Sequence, residues 1–217
     1  MSTYYFKIIK ILKFFTKPLA RVHIEGKENI PVTGGALLVI NHISNLDPVI
    51  AGIQIADRRP VRALAKSSLF TKPVIGSVLK KMEHIPVFRN SANAAEAYTA
   101  AIEKLKTGEV IAIYPEGTIP LDINNPGEYK TGAARLALAT GVPIIPIGQW
   151  GIHEVLPARQ NAFKPLMKAL FTKPKHVLIV GKPIRIPTED SDFDAKKLTL
   201  LIKEKINELT AIAKQKR

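Results

Sequence analysis

The sequence predicts one α/β domain, an open and mainly parallel sheet flanked by helices, with an amphipathic helix in front of it. Three observations carry this. Short apolar runs alternate along the chain with segments of helical period. Several of those runs are apolar at every position, as in strands buried on both faces. The 217 residues are 46% apolar, enough for one sizeable core, so disorder is excluded.

The first element is YYFKIIKILKFF, residues 4–15. At about 100° per residue, Lys7, Lys10, Lys13 and Lys17 fall within an arc of about 120°. The remaining face is aromatic and aliphatic, and Pro18 ends the segment. Residues 1–22 hold five basic side chains and no acidic one. Aromatic residues with lysines are an interfacial composition, so residues 1–18 are expected to lie in a membrane surface, with residues 19–217 as the folded domain. The competing reading is a helix packed on that domain with a solvated lysine edge.

Strands are expected at 36–40 (ALLVI), 61–65, 85–88, 110–114 (VIAIY), 144–149 and 177–180. Ser91 can cap a helix over 92–106 that stops at Gly108. A second helix over 131–140 stops at Gly141, and a long basic helix covers 194–214.

Charge and composition narrow the chemistry. The 32 Lys and Arg against 18 Asp and Glu favour a polyanionic partner. Nucleic acid is disfavoured: aromatics are 6% of the chain, and none interleave with the basic runs as stacking platforms. With no cysteine there is no disulfide, thiolate nucleophile or cysteine-bound zinc. No Walker A loop, Gly-x-Gly-x-x-Gly or Gly-x-Ser-x-Gly is present, which disfavours ATP, dinucleotides and a serine elbow. No run reaches the roughly 18 apolar residues of a spanning helix, and no secretory signal is evident, so the chain is expected inside the cell.

Ligands of an open α/β sheet bind beyond the carboxyl ends of its strands. Those ends read Asn41–Asp47, Arg89-Asn90, Pro115–Thr118 and Gln149-Trp150-Gly151. His42 and Asp47 would not meet on one helix, where five residues turn about 140°. Asp47 precedes Pro48, which suits it to be a helix N-cap with proline at the first turn. A bend of four residues then lets its carboxylate reach one ring nitrogen of His42 and leave the other as a general base. Ser44 is too near along the chain to be its nucleophile, so the base is expected to act on a substrate hydroxyl. Lys66, Arg89 and Lys130 are cations suited to a phosphate. No metal-ligand spacing links the histidines.

At this point the residues resemble a family. Asn41-His42-Ile43-Ser44-Asn45-Leu46-Asp47 is similar to the N-H-x4-D block of the PlsC-like glycerolipid acyltransferases. Residues 26–31 (GKENIP) resemble the entry to the first strand, and 65–70 (AKSSLF) the segment holding a phosphate-facing lysine. Residues 85–89 (IPVFR), 114–118 (YPEGT) and 142–147 (VPIIPI) resemble the second, third and fourth blocks. Order and spacing agree over about residues 20–185.

The resemblance implies transfer of a fatty acyl chain from a thioester, acyl-CoA or acyl carrier protein, to 1-acyl-glycerol-3-phosphate, giving phosphatidate. It implies His42 as base and Asp47 as its support, with no cofactor beyond the thioester co-substrate. Lys66, Arg89 and the Glu116-Gly117-Thr118 turn are expected to bind the glycerol phosphate, Glu116 through a hydroxyl or a neighbouring cation. A backbone N–H near 42–47 or 116–118 is expected to hold the oxyanion. The enzyme is expected on the cytoplasmic face of the membrane, as a peripheral or monotopic protein.

Two departures stand out: Ile119 replaces the arginine usual in the third block, and Lys80–His84 occupy a stretch where glycine is common. Lys130, just before the helix over 131–140, is expected to supply the missing charge. His23, His84, His153 and His176 match no block and are expected to be structural or at the surface. Alternatives are a related acyltransferase for another lysolipid or hydroxylated acceptor, and a non-catalytic protein that binds anionic lipid.

Overall fold

The structure is a computed structural model describing residues 3–88, 94–159, 161–186 and 194–217. Seven strands form one sheet: β1 (Arg21–Glu25), β2 (Ala36–Ile40), β3 (Val61–Lys66), β4 (Ile85–Val87), β5 (Val110–Ile113), β6 (Ile144–Trp150) and β7 (Lys175–Val180). Their order is β1-β7-β6-β2-β5-β3-β4. From β6 to β4 all neighbours are parallel. β7 runs antiparallel to β6, and β1 is parallel to β7. The expected mainly parallel sheet is therefore present, with a reversed pair at one edge.

Among the described residues seven α-helices cover the sheet: α1 (Thr3–Thr16), α2 (Asp47–Ile55), α3 (Pro73–Lys81), α4 (Ala94–Lys106), α5 (Gly132–Thr140), α6 (Phe163–Thr172) and α7 (Ala195–Gln215). β2 explains the layering. All five of its residues are buried, and they alternate between faces. Leu37 and Val39 meet the core formed with α4, α5 and α7. Ala36, Leu38 and Ile40 meet the core that takes Ala51 and Ile55 of α2. A strand needing apolar residues on both faces cannot alternate with polar ones, hence the unbroken ALLVI.

α7 lies very close to β6. A Cβ on Gly148 would stand 2.3 Å from the Thr210 amide nitrogen and 2.4 Å from the Leu209 carbonyl carbon. The absence of a side chain at Gly148 lets the helix backbone rest on the strand. Asp194 caps α7, its carboxylate accepting from the Lys197 amide at 2.7 Å.

Several elements differ from the sequence expectation. β1, α3 and α6 have no counterpart in it; each is short and buries few side chains. Ser91 lies outside the described residues. Asp47 is the first residue of α2 and Leu46 precedes it as the cap, so the expected N-cap moves by one. The reason is that the Asp47 side chain is turned back onto the preceding loop and not onto its own helix. α1 also departs from a purely lipid-facing helix: Tyr5 and Ile9 are buried against Ile53, Ala56 and Met82, and the Tyr5 hydroxyl accepts from the Val61 amide at 3.0 Å.

Gly148→Ala should destabilise the protein by about 1–3 kcal/mol, because it overpacks a backbone-to-backbone contact. Gly132→Ala, in α5 with its nearest contact 3.9 Å away, should be neutral or stabilising by about 0.5–1 kcal/mol. Urea unfolding of the two variants measures the difference.

Candidate active site

β2 sits at the centre of the sheet, and the chain leaves its carboxyl end through Asn41 and His42. Asn41 fixes the exit. Its Nδ2 donates to the Gln149 carbonyl at 3.1 Å, and its Oδ1 accepts from the Gln149 amide at 2.8 Å. Gln149 Nε2 returns a bond to the Asn41 carbonyl at 2.8 Å. This reciprocal clamp continues the β2–β6 ladder by side chain where the strand itself stops.

The next turn is organised by one carboxylate oxygen. Asp47 Oδ2 lies 2.7 Å from His42 Nδ1, 2.6 Å from the Ile43 amide and 2.8 Å from the Ser44 amide. Two backbone donors mark Oδ2 as an acceptor, so Nδ1 carries the ring proton and Nε2 is left as a base. Asp47 is fully buried, and that burial pushes its carboxyl up from the ordinary value, while His42 and the two amides pull it back. Its Oδ1 has no partner among the described residues. The Tyr114 ring lies over the imidazole, centroids 4.4 Å apart, and fixes its plane. Ser44 is not free to react: its hydroxyl donates to the Leu156 carbonyl at 2.7 Å.

Glu116 has a further role that the sequence did not suggest. Its Oε1 accepts from the His42 amide at 3.0 Å, so it holds the catalytic loop by its backbone. Burial, opposed by that amide, raises its carboxyl to about 7. Oε2 has no partner among the described residues, nor has the buried Tyr129 hydroxyl. Both residues line a pocket of about 310 Å³ together with His42. The far wall is α7, through Lys203, Asn207, Thr210 and Lys214. These recur at i, i+4, i+7 and i+11, one stripe of a helix. The Lys214 ammonium donates to Asn124 Oδ1 at 3.0 Å and lies 4.1 Å from the Trp150 ring centre.

The remaining expected residues are distributed around this pocket. Lys130 reaches over the third-block turn, its Nζ 3.1 Å from where a Gly117 Cβ would stand. Gly117 has φ +70°, which a side chain would strain, and Thr118 beside it is exposed. Lys66 ends β3 and is exposed; β3 is two strands from β2, about 10 Å away, and Lys66 does not line the pocket. Arg89 lies outside the described residues. The amides of His42, Ile43, Ser44, Leu46, Asp47 and Gly117 all have partners, so these members of the expected oxyanion set are already engaged.

At the position of the missing arginine, Ile119 is buried. A guanidinium nevertheless stands at this turn: Arg159 donates to the Ile119 carbonyl at 2.9 Å and to the Pro120 carbonyl at 3.3 Å. Arg159, Tyr129 and the α7 stripe are missed by sequence reasoning. The stripe was legible as polar residues at helical spacing; the other two carry no local signal.

Fold and site together define an open α/β protein with a histidine paired to a buried carboxylate at the carboxyl rim of its central strand. Comparison with known proteins makes this specific. The Acyltransferase family profile matches residues 21–150, and the chain belongs to that family. A 1-acyl-sn-glycerol-3-phosphate acyltransferase from Borreliella burgdorferi is 31% identical over 190 residues, 86% of this chain and 70% of that protein. One from Bacillus subtilis is 30% identical over 168 residues, 75% of this chain and 73% of that protein. The crystal structure of the 1-acyl-sn-glycerophosphate acyltransferase PlsC from Thermotoga maritima superposes with a TM-score of 0.76 at 25% identity, covering 97% of this chain and 79% of that one.

Glu116 gives a pH test. Its folded pKa of about 7 exceeds the ordinary 4.5, so the native protein holds a proton that the unfolded chain releases. This contributes stability that is full below about 4.5 and lost as pH rises through about 7. The ceiling is about 3 kcal/mol. Glu116→Gln keeps an acceptor for the His42 amide but does not titrate. The stability of wild type relative to Glu116→Gln should fall across that window in denaturant titrations.

Proposed function

We propose that this protein transfers a fatty acyl chain from an acyl thioester to the free hydroxyl of 1-acyl-sn-glycerol-3-phosphate, producing phosphatidate for phospholipid synthesis. The observation that carries this is the His42–Asp47 pair at the mouth of a pocket bordered by cations, 2.7 Å apart with Nε2 left as base.

The acceptor hydroxyl gives its proton to His42 Nε2 as its oxygen attacks the thioester carbonyl. The forming imidazolium is stabilised by the buried Asp47 carboxylate. The tetrahedral intermediate then collapses, the carbon–sulfur bond breaks, and the thiolate takes the proton from His42. The free thiol and the new ester leave, and His42 is again neutral. A thiolate leaves readily, so no acyl-enzyme is required. The Tyr129 hydroxyl and, in its protonated form, the Glu116 carboxyl are the donors offered to the developing oxyanion, since six of the nearby amides are engaged.

Phosphate recognition falls to cations from five segments. Lys130 and Arg159 stand at the third-block turn, Lys203 and Lys214 on the α7 wall, with Lys66 further along the rim. Arg89 is kept in this set from the sequence. The donor is acyl-CoA or acyl carrier protein, with no further cofactor, and the exposed aromatic and lysine faces of α1 suit a peripheral position on an anionic membrane. In this reading residues 1–18 serve attachment, and 19–217 the reaction. Among the described residues no helix is long and apolar enough to cross a membrane.

His42→Ala should lower turnover by about 10²–10⁴-fold with the fold retained, read as thiol release from acyl-CoA or acyl carrier protein in the presence of lysophosphatidate. Near-normal transfer by the folded variant would sink the mechanism. Lys203→Ala and Lys130→Ala should each raise KM for lysophosphatidate by roughly tenfold, with a smaller effect on the donor's KM. An unchanged acceptor KM in both would move the phosphate away from this pocket.

A further inference from the structure

α6 has a face that the fold does not use. Its core contacts are made by Ala169 and the partly buried Leu166. Phe163 is 69% exposed and Phe171 84%, and Met167 and Leu170 are exposed beside them. At about 100° per residue these four fall within an arc of about 100°. Single exposed apolar residues are normal on a soluble protein, but four on one helical arc form a patch. Lys164 and Lys168 border it on one side, and Lys173 closes the helix in a left-handed conformation, φ +42°. No acidic residue occurs anywhere from 159 to 185.

The topology determines where this patch sits. His42 follows β2, which is parallel to β6, so the carboxyl end of β6 is the catalytic rim. β7 is antiparallel to β6, with Trp150 opposite Val177, so β7 begins at that rim. α6 lies in the connection between them and therefore stands on the catalytic side of the sheet. β1, parallel to β7, also begins there, with Arg21 opposite Lys175. The end of α1 consequently meets the end of α6: the Arg21 amide donates to the Pro174 carbonyl at 3.1 Å, and Arg21 Nε to the Lys173 carbonyl at 3.1 Å. Phe14 and Phe15, 75% and 66% exposed, crown that end of α1 between Lys13 and Lys17.

We propose that α6 is a second lipid-contacting helix, which together with the aromatic end of α1 seats the catalytic rim on an anionic membrane surface. Phe163, Met167, Leu170 and Phe171 enter the acyl boundary, while Lys164, Lys168 and Lys173 stay at headgroup phosphates. A second copy of this chain is a poor occupant, because it would set lysines against lysines. An anionic bilayer complements both the apolar arc and the charge. The inference rests on the reading that the acceptor is a membrane amphiphile. Two contacts on the rim, rather than one tether, then fix the orientation in which that acceptor reaches His42.

The test uses the full chain with vesicles of phosphatidylglycerol and phosphatidylcholine, and with phosphatidylcholine alone. Phe163→Ser/Phe171→Ser removes two exposed rings. Its sedimentation with anionic vesicles should fall at least tenfold, as should transfer to a vesicle-borne acceptor at limiting lipid. Transfer to a short-chain acceptor below its micellar concentration should be unchanged. Leu200→Ser, an exposed apolar site on α7, should alter neither. Phe171→Trp removes no apolar surface, and its fluorescence should be quenched by brominated lipids, whereas Trp150, buried in the core, should not. Unchanged sedimentation of the double variant, or an unquenched Trp at 171, would overturn the proposal. Failure of the wild type to acylate either acceptor would refute the reaction, while the vesicle measurements would still decide the role of α6.

Discussion

Everything at the rim depends on one buried oxygen. Asp47 Oδ2 gathers an imidazole and two consecutive amides within 2.8 Å, and only Asp47 itself, the first residue of α2, belongs to a regular element. A buried carboxylate is costly unless donors surround it. Here the donors are supplied by the bend of the chain between β2 and α2. The bend is thus held by the charge it encloses, and the charge is tolerated because the bend encloses it. The spacing of five residues lets the carboxylate turn back past two amides to reach the ring. Asn41 anchors the start of the bend to β6, and Glu116 anchors the His42 amide to the end of β5. Three neighbouring strand ends therefore converge on the same loop.

The fold was largely legible in the sequence, and for a physical reason. Strands such as ALLVI and IIPIGQW are buried on both faces, so their residues cannot alternate, and the unbroken apolar run is the signal. β1 and α6 were hidden because each has one solvent-facing side and few buried side chains. The His42–Asp47 pair was legible from the strand end, the spacing and Pro48. What the sequence could not supply was the side of the pocket contributed from a distance. Lys203 is 161 positions from His42, and only the seating of α7 on Gly148 brings its stripe opposite the base. Tyr129 and Arg159 were invisible for the same reason, as was the bond from the His42 amide to Glu116.

The cations show how a charge can be redistributed while the chemistry is kept. Ile119 is buried, and an arginine at that position would have to leave the core or find an acceptor there. Arg159 supplies a guanidinium to the same turn from a loop 40 residues further on, bonded to the carbonyls of Ile119 and Pro120. Lys130 places its ammonium against Gly117 on the other side. On the proposed reading, phosphate binding is therefore a property of a surface assembled by the fold, and a single motif position is a poor index of it.

The reversed β7–β1 pair is the least expected feature of the sheet and explains the most about the setting of the reaction. Had β7 continued the parallel run, the segment linking it to β6 would have crossed to the amino edge, away from His42. Reversal keeps that segment at the carboxyl rim and delivers α6 there. Pairing β1 parallel to β7 brings the chain out of α1 to the same rim, because β1 then also starts at that end. One change of strand direction thus places both exposed aromatic and lysine-rich helical faces at the same rim of the sheet as His42. An enzyme whose acceptor lies in a bilayer needs its base near the lipid surface and its core away from it. On the proposed membrane seating, both conditions follow from the direction of a single edge strand.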